Sequence, residues 1–224
     1  MAIVFTLKIS SEEDEELFKR LYKILPLYRI KQVNSFRNHW DQARCCYAEI
    51  LIMYYLLSIK GIDNYEIEKN YYGKPFLKNI PDCFYNISHS GSWVVAVFDN
   101  QEVGIDVEEI KEIDLNIARN YFHPKEYQAI YKAKENKRRE LFYEFWTLKE
   151  SYLKYLGYGL SKPLNEFCIE IIADQIKISD DLLGSVYFSL IDLESGYKLA
   201  ICLQGNTVKE IKNVTLKELY YFLK

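Results

Sequence analysis

The alternation in VGIDVEE, residues 103–109, restricts this chain more than any other stretch. Val103, Ile105 and Val107 fall on one face of an extended segment, and Gly104, Asp106 and Glu108 fall on the other. The apolar face needs a core. The second face carries two carboxylates about 7 Å apart along the strand, pointing the same way. Like charges that close repel, and withdrawing them from water is costly unless something positive sits between them. Either this face is open to solvent, or a cation belongs there, and Gly104 leaves room for one.

A core is available. The chain has 224 residues, 49% of them hydrophobic and 16% aromatic, enough for one large domain or two of roughly 100 residues each. The net charge of −3 gives no global basic field, which argues against nucleic acid as a partner. Five cysteines (Cys45, Cys46, Cys83, Cys168, Cys202) contain no CxxC pair, against a disulfide framework or structural zinc and for a reducing compartment. No targeting signature opens the chain, and the run CCYAEILIMYYLLSI carries Glu49 and falls short of a membrane span. The expectation is a cytoplasmic protein with no membrane partner.

Residues 3–9 read as a strand. Ser10 with Glu13 makes a capping box for a helix over about 12–24. A short basic helix follows Pro26, then a long buried helix over about 39–59, ended by Gly61. Residues 62–110 look β-rich, and WVVAVF with EVGIDVE, joined around residues 99–101, reads as a hairpin. Helices near 114–121 and 124–133 precede a long one ending at Gly157. The remainder is strand-like (FCIEI, QIKIS, VYFSLI, YKLAICL), with a last capping signal at Thr215 and Glu218. The order strand, helices, strands recurs, suggesting an α+β fold of two similar halves, 1–103 and 104–224, with the carboxylate pair at the seam.

Three further stretches could carry chemistry. In FWTLKESYLKYLGYGL (145–160), Glu150 and Lys154 share a helix face. They are either an ordinary i,i+4 pair or the third carboxylate and the ammonium of a Mg²⁺–phosphate site. In FYNISHSGSWVVAVF (84–98), Ser88-His89-Ser90-Gly91 is a tight polar turn or an anion-contacting one; a serine-hydrolase reading fails because adjacent turn residues do not form that geometry. Gly73-Lys74-Pro75 lacks the rest of a phosphate-binding loop and reads alone as a turn. Arg29, Lys31, Arg37 and Arg44 form a basic cluster that reads locally as a solvated helix face.

Taken together, GKPF (73–76), NISHS (86–90), VGIDVE (103–108), FHPKEY (122–127) and FWTLKESYLKYLGYGL resemble the 4′-phosphopantetheinyl transferases, most nearly their single-chain, surfactin-synthetase-activating branch. The resemblance implies two pseudo-twofold α+β halves with coenzyme A and metal at the seam. It implies transfer of the phosphopantetheine arm of coenzyme A to a serine of an apo acyl or peptidyl carrier protein, with Mg²⁺ as cofactor and adenosine 3′,5′-bisphosphate as the product released. Asp106, Glu108 and Glu150 would hold the metal. Glu150 would also take the serine proton, and Lys154 would neutralise the pyrophosphate. Ser88 and His89 would bind phosphates. Gly73, Lys74 and Pro75 would lie along the adenine and ribose, with Lys74 reaching a phosphate. Arg44, with one or more of Arg29, Lys31 and Arg37, would hold the 3′-phosphate. Two internal halves suit a monomer. The alternatives are a coenzyme A-binding module that grips carriers without transfer, and a Mg²⁺-dependent phosphoesterase.

Overall fold

Strand β1 (Ala2–Lys8) opens the chain in the computed structural model, which describes residues 1–10, 14–173, 175–180, 186–205 and 207–224. The expected capping partner Glu13 lies outside the described residues, and helix α1 spans Asp14–Tyr22. Pro26, with its extended backbone, leads into α2 (Leu27–Ser35). The side chain of Asn38 accepts the backbone N–H of Trp40 at 2.8 Å and starts α3 (His39–Tyr55). The run predicted to reach residue 59 changes character at Leu56–Lys60, where it widens into a π-turn, and Gly61 closes it at φ 67°.

Five strands follow: β2 (Ile67–Lys69), β3 (Pro75–Leu77), β4 (Phe84–Ser90), β5 (Trp93–Asp99) and β6 (Val103–Glu109). Then come α4 (Asn116–Tyr121), α5 (Pro124–Lys132) and α6 (Glu135–Leu156). The chain finishes with β7 (Cys168–Ile172), β8 (Gln175–Ser179), β9 (Val186–Glu194), β10 (Tyr197–Gln204), β11 (Val208–Val214) and α7 (Leu216–Leu223), the last started by the Thr215–Glu218 capping box.

Two sheets, ordered β11-β1-β5-β4 and β6-β10-β9, pack face to face. Val4, Val95 and Val97 of the first meet Val103, Ile105, Val107, Leu199 and Ile201 of the second. The opposite face of the first sheet, including Phe5, Val94 and Phe98, packs on α3. The opposite face of the second, including Ala200 and Cys202, packs on α6 through Phe145, Leu148 and Tyr152. The layers therefore run helix, sheet, sheet, helix, and each fully buried aliphatic or Phe side chain contributes roughly 1.5–3 kcal/mol. Among the described residues, no helix is long and apolar enough to cross a membrane.

The expected β5–β6 hairpin does not form. β5 is buried along its whole length and has β1 on one edge and β4 on the other. The hairpin is β4–β5, turning at Gly91 and Ser92, while β6 crosses to the other sheet and pairs with β10. Alternation reports which residues face a core; it does not name the strand beside them.

Strand β11, unpredicted, runs parallel to β1, and Leu216 and Leu219 of α7 join the first core. Residues 208–223 thus pack with the N-terminal elements, although they lie beyond residue 104 in sequence.

Gly104 is required where β6 meets α6. A Cβ there would stand 2.0 Å from the backbone oxygen of Ser151 and 2.4 Å from the nitrogen of Tyr155. Its absence lets the helix lie on the acidic face of the strand, within side-chain reach of Asp106.

Candidate functional site

A cleft of about 520 Å³ opens where β4, β6 and α6 converge beneath α2 and α3. Asp106, Glu108, Glu150 and Lys154 all line it. The acidic face of β6 is therefore neither a solvated face nor part of the sandwich core, because α6 brings its own charges to it.

Lys154 bonds to Asp106, and no hydrogen bond or ion pair joins it to Glu150 among the described residues. Its ammonium donates to Oδ1 of Asp106 at 2.6 Å and to Oγ of Ser88 at 2.9 Å. Ser88 donates in turn to the same carboxylate oxygen at 2.8 Å. The other oxygen, Oδ2, is buried and has no hydrogen-bond partner among the described residues. Glu108 accepts from Oγ of Ser90 at 2.9 Å and from the indole N–H of Trp146 at 3.1 Å.

Burial pushes the Asp106 carboxyl above the ordinary range against the pull of Lys154, and pushes Glu108 up with the Asp106 charge adding to it. Glu150 is pushed up to about 7, by burial first and then by the neighbouring Asp106 charge. Three acids held this way have one ammonium beside them, that of Lys154. Hard carboxylate oxygens, one of them an orphan in the interior, fit a small divalent cation such as Mg²⁺. They are not gathered into a ready-made shell: among the described residues, no three His, Cys, Asp or Glu side chains close around one point. The Lys154 ammonium supplies the positive charge beside Asp106.

The hairpin carrying Ser88, His89 and Ser90 is held from both sides. Gly91, at φ 53°, packs so tightly on Oη of Tyr197 and the Glu109 carboxylate that a Cβ would overlap both. Nη1 of Arg44 donates to the Gly91 carbonyl at 2.8 Å. His89 lines the cleft with part of its ring exposed. Packing there, then the Arg44 and Lys154 charges, hold its imidazole below the usual value.

The remaining predicted residues divide. Pro75 lines the cleft, and Gly73, at φ 93°, turns β2 into β3 away from it. Lys74 does not reach the cleft as predicted. Its ammonium binds Glu102 at 2.6 Å and the carbonyls of Tyr155 and Val103 at 3.0 and 3.2 Å. The C-terminal end of α6, rich in unpaired carbonyls, draws the cation there. Lys31 is exposed on α2 and is not part of the cleft wall. Arg29 is part of it, but its guanidinium is paired with the fully buried Glu49 at 2.5 Å. Arg44 pairs with Asp41, also at 2.5 Å, and its Nε is buried with no partner among the described residues.

Sequence reasoning missed Trp146 and Ser90 as partners of Glu108, and Tyr85 and Phe36 as cleft walls. Trp146 was within reach, since it precedes Glu150 by one helical turn and so shares its face.

Comparison with known proteins identifies the family. A family model described as the 4′-phosphopantetheinyl transferase superfamily matches residues 102–202, which hold Asp106, Glu108, Glu150 and Lys154. The 4′-phosphopantetheinyl transferase Sfp of Bacillus subtilis (strain 168) is 32% identical over 198 residues, covering 87% of each chain. The transferase gsp of Aneurinibacillus migulanus is 35% identical over 213 residues, 94% of this chain and 89% of that one. The transferase psf-1 of Bacillus pumilus is 31% identical over 210 residues, 89% of this chain and 88% of that one. On these matches, which run through nearly the whole length of both partners, the chain belongs to the 4′-phosphopantetheinyl transferase superfamily.

Proposed function

We propose that the cleft binds coenzyme A and that the protein transfers its 4′-phosphopantetheine arm to a serine of an apo acyl or peptidyl carrier protein. The observation that carries this reading is the meeting of Asp106, Glu108, Glu150 and Lys154 on one wall, from two elements distant in sequence. Such a wall, with a divalent cation held on its acids, suits a diphosphate.

Asp106, Glu108 and Glu150 are the residues that would hold Mg²⁺, which when bound supplies positive charge to the diphosphate oxygens. Lys154 neutralises charge building on the leaving phosphate, and Ser88 and His89 orient the phosphates from the hairpin. The serine oxygen of the carrier attacks the β-phosphorus. One P–O bond forms, the bond to the bridging oxygen breaks, and adenosine 3′,5′-bisphosphate leaves. The serine proton passes to Glu150, directly or through water. No covalent enzyme intermediate is required, and rate comes from positioning and charge.

The strand orders support the pseudo-twofold reading. β1-β5-β4 with α3 on its outer face has the same connectivity as β6-β10-β9 with α6 on its outer face. The site then lies along the seam between halves 1–103 and 104–224, apart from the returning tail. Both halves in one chain fit a monomer.

The test is incubation with coenzyme A, Mg²⁺ and a panel of apo carrier proteins, followed by carrier mass. A gain of one phosphopantetheine is expected. Binding of coenzyme A with no gain on any carrier would favour a binding module, and release of free phosphopantetheine without a carrier would favour a phosphoesterase.

A further inference from the structure

The cations near the cleft have an unusual disposition. Arg29 faces the cavity, yet behind it the Glu49 carboxylate is completely buried and accepts from Arg29, from Tyr28 and from Tyr65. The last free arm of the guanidinium donates to Gln32 at 2.8 Å. Arg44 is tied to Asp41, and Lys74 to Glu102. Lys31 and Arg37 are exposed outside the cleft wall. Among the described residues, Arg29, Arg44 and Lys74 are thus each matched to a carboxylate, and Lys31 and Arg37 lie off the wall. To a dianion, a paired arginine presents a dipole in place of a net charge, and its pull falls accordingly.

We propose that Glu49, by neutralising Arg29 from behind the cleft wall, makes this enzyme tolerant of donors that lack the 3′-phosphate of coenzyme A. This rests on the coenzyme A reading above. Glu49 touches no ligand; it is a positioning residue that sets the specificity of Arg29. The reacting diphosphate lies at the other end of the cleft, against Lys154 and the acids of β6 and α6, so its chemistry is unaffected by the missing group. With 3′-dephospho-coenzyme A the same β-phosphorus is attacked, the same P–O bond breaks, and adenosine 5′-monophosphate leaves in place of adenosine 3′,5′-bisphosphate.

The experiment compares coenzyme A and 3′-dephospho-coenzyme A by calorimetric titration of the unmodified protein with Mg²⁺ present. The expected dissociation constants differ by less than about tenfold, where an unpaired arginine on a phosphate would give a wider gap. A gap of tenfold or more overturns the inference. Glu49→Gln, which removes the charge and keeps the shape, should widen the wild-type gap by at least about threefold as Arg29 becomes a net cation. A folded Glu49→Gln protein with an unchanged gap overturns the assignment to Glu49, and the wild-type comparison stands even if that variant does not fold. Binding of neither donor would bring down the coenzyme A reading itself, whereas tight binding of coenzyme A alone brings down only this inference.

Discussion

The ammonium of Lys154 lies 2.6 Å from Oδ1 of Asp106, joining the last turns of α6 to the middle of β6 across the cleft. This contact opposes the burial that raises the Asp106 pKa, and it keeps a cation at the place where diphosphate charge would arrive. Lys154→Met should lower the transfer rate by roughly 10²–10³, the usual cost of losing one charge-stabilising donor. Asp106→Asn should also abolish most transfer while thermal unfolding stays cooperative. Carrier mass spectrometry and a melting curve check both; a fully active Asp106→Asn protein would remove Asp106 from the site.

Gly104 should tolerate no side chain. In Gly104→Ala the new methyl meets the Ser151 carbonyl and the Tyr155 backbone, not a yielding side chain. The cost expected is at least about 1–3 kcal/mol, the usual range for forced overpacking, and α6 must shift off β6. Urea denaturation measures the loss. Retained transfer at full rate would contradict the close helix–strand contact.

Glu126 and Lys149 form a second, wholly buried pair at 2.8 Å, fastening α5 to α6. Burial raises the Glu126 pKa and lowers that of Lys149, each opposed by the partner charge. Lys149→Met alone should cost on the order of 3–5 kcal/mol by stranding the carboxylate. Glu126→Gln combined with Lys149→Met should recover a large part of this, which a double-mutant cycle in urea reads directly.

Lys74 gives a prediction of the opposite kind. Because its ammonium serves Glu102 and the end of α6, Lys74→Met should lower the melting temperature and leave the affinity for coenzyme A within about threefold of wild type. Calorimetric titration decides, and a large loss of affinity at an unchanged melting temperature would return Lys74 to the ligand.

His89 sets a pH dependence. Its imidazole is held below the ordinary value by packing in the cleft and by Arg44 and Lys154. From about pH 6.5 downward the unfolded chain binds this proton and the folded one resists, so stability declines as pH falls through that window. The exposed ring edge keeps the effect small. A phosphate beside the ring reverses the preference, so coenzyme A binding near pH 6 should take up more protons in the wild type than in His89→Gln, with no difference near pH 8. Titrations in two buffers of different ionisation enthalpy measure this difference.

Much of the architecture was legible because periodicity reports burial. α6, its Gly157 stop and the two faces of β6 all follow from spacing. Strand partners were not legible: β5 has apolar residues on both faces, and nothing local says that β1 and β4 take its edges. β11, largely exposed along its length, has a weak alternation signal and escaped notice. Within the site, type and spacing singled out the acids and Lys154 but left their role open between a solvated face and a cation site, and the family resemblance supplied the assignment. The diversion of Lys74 and the masking of Arg29 by Glu49 were not, since each depends on a carboxylate from another element.

The parallel pairing of β11 with β1 sets an order on how the polypeptide can mature. A nascent chain leaving the ribosome exposes the outer edge of β1 throughout synthesis of the second half, and that edge stays open until residues near 208 emerge. Parallel pairing across so long a separation is slow to form. Until then the unpaired edge invites intermolecular strand addition, so the final strand and helix act as the latch that ends this vulnerable interval.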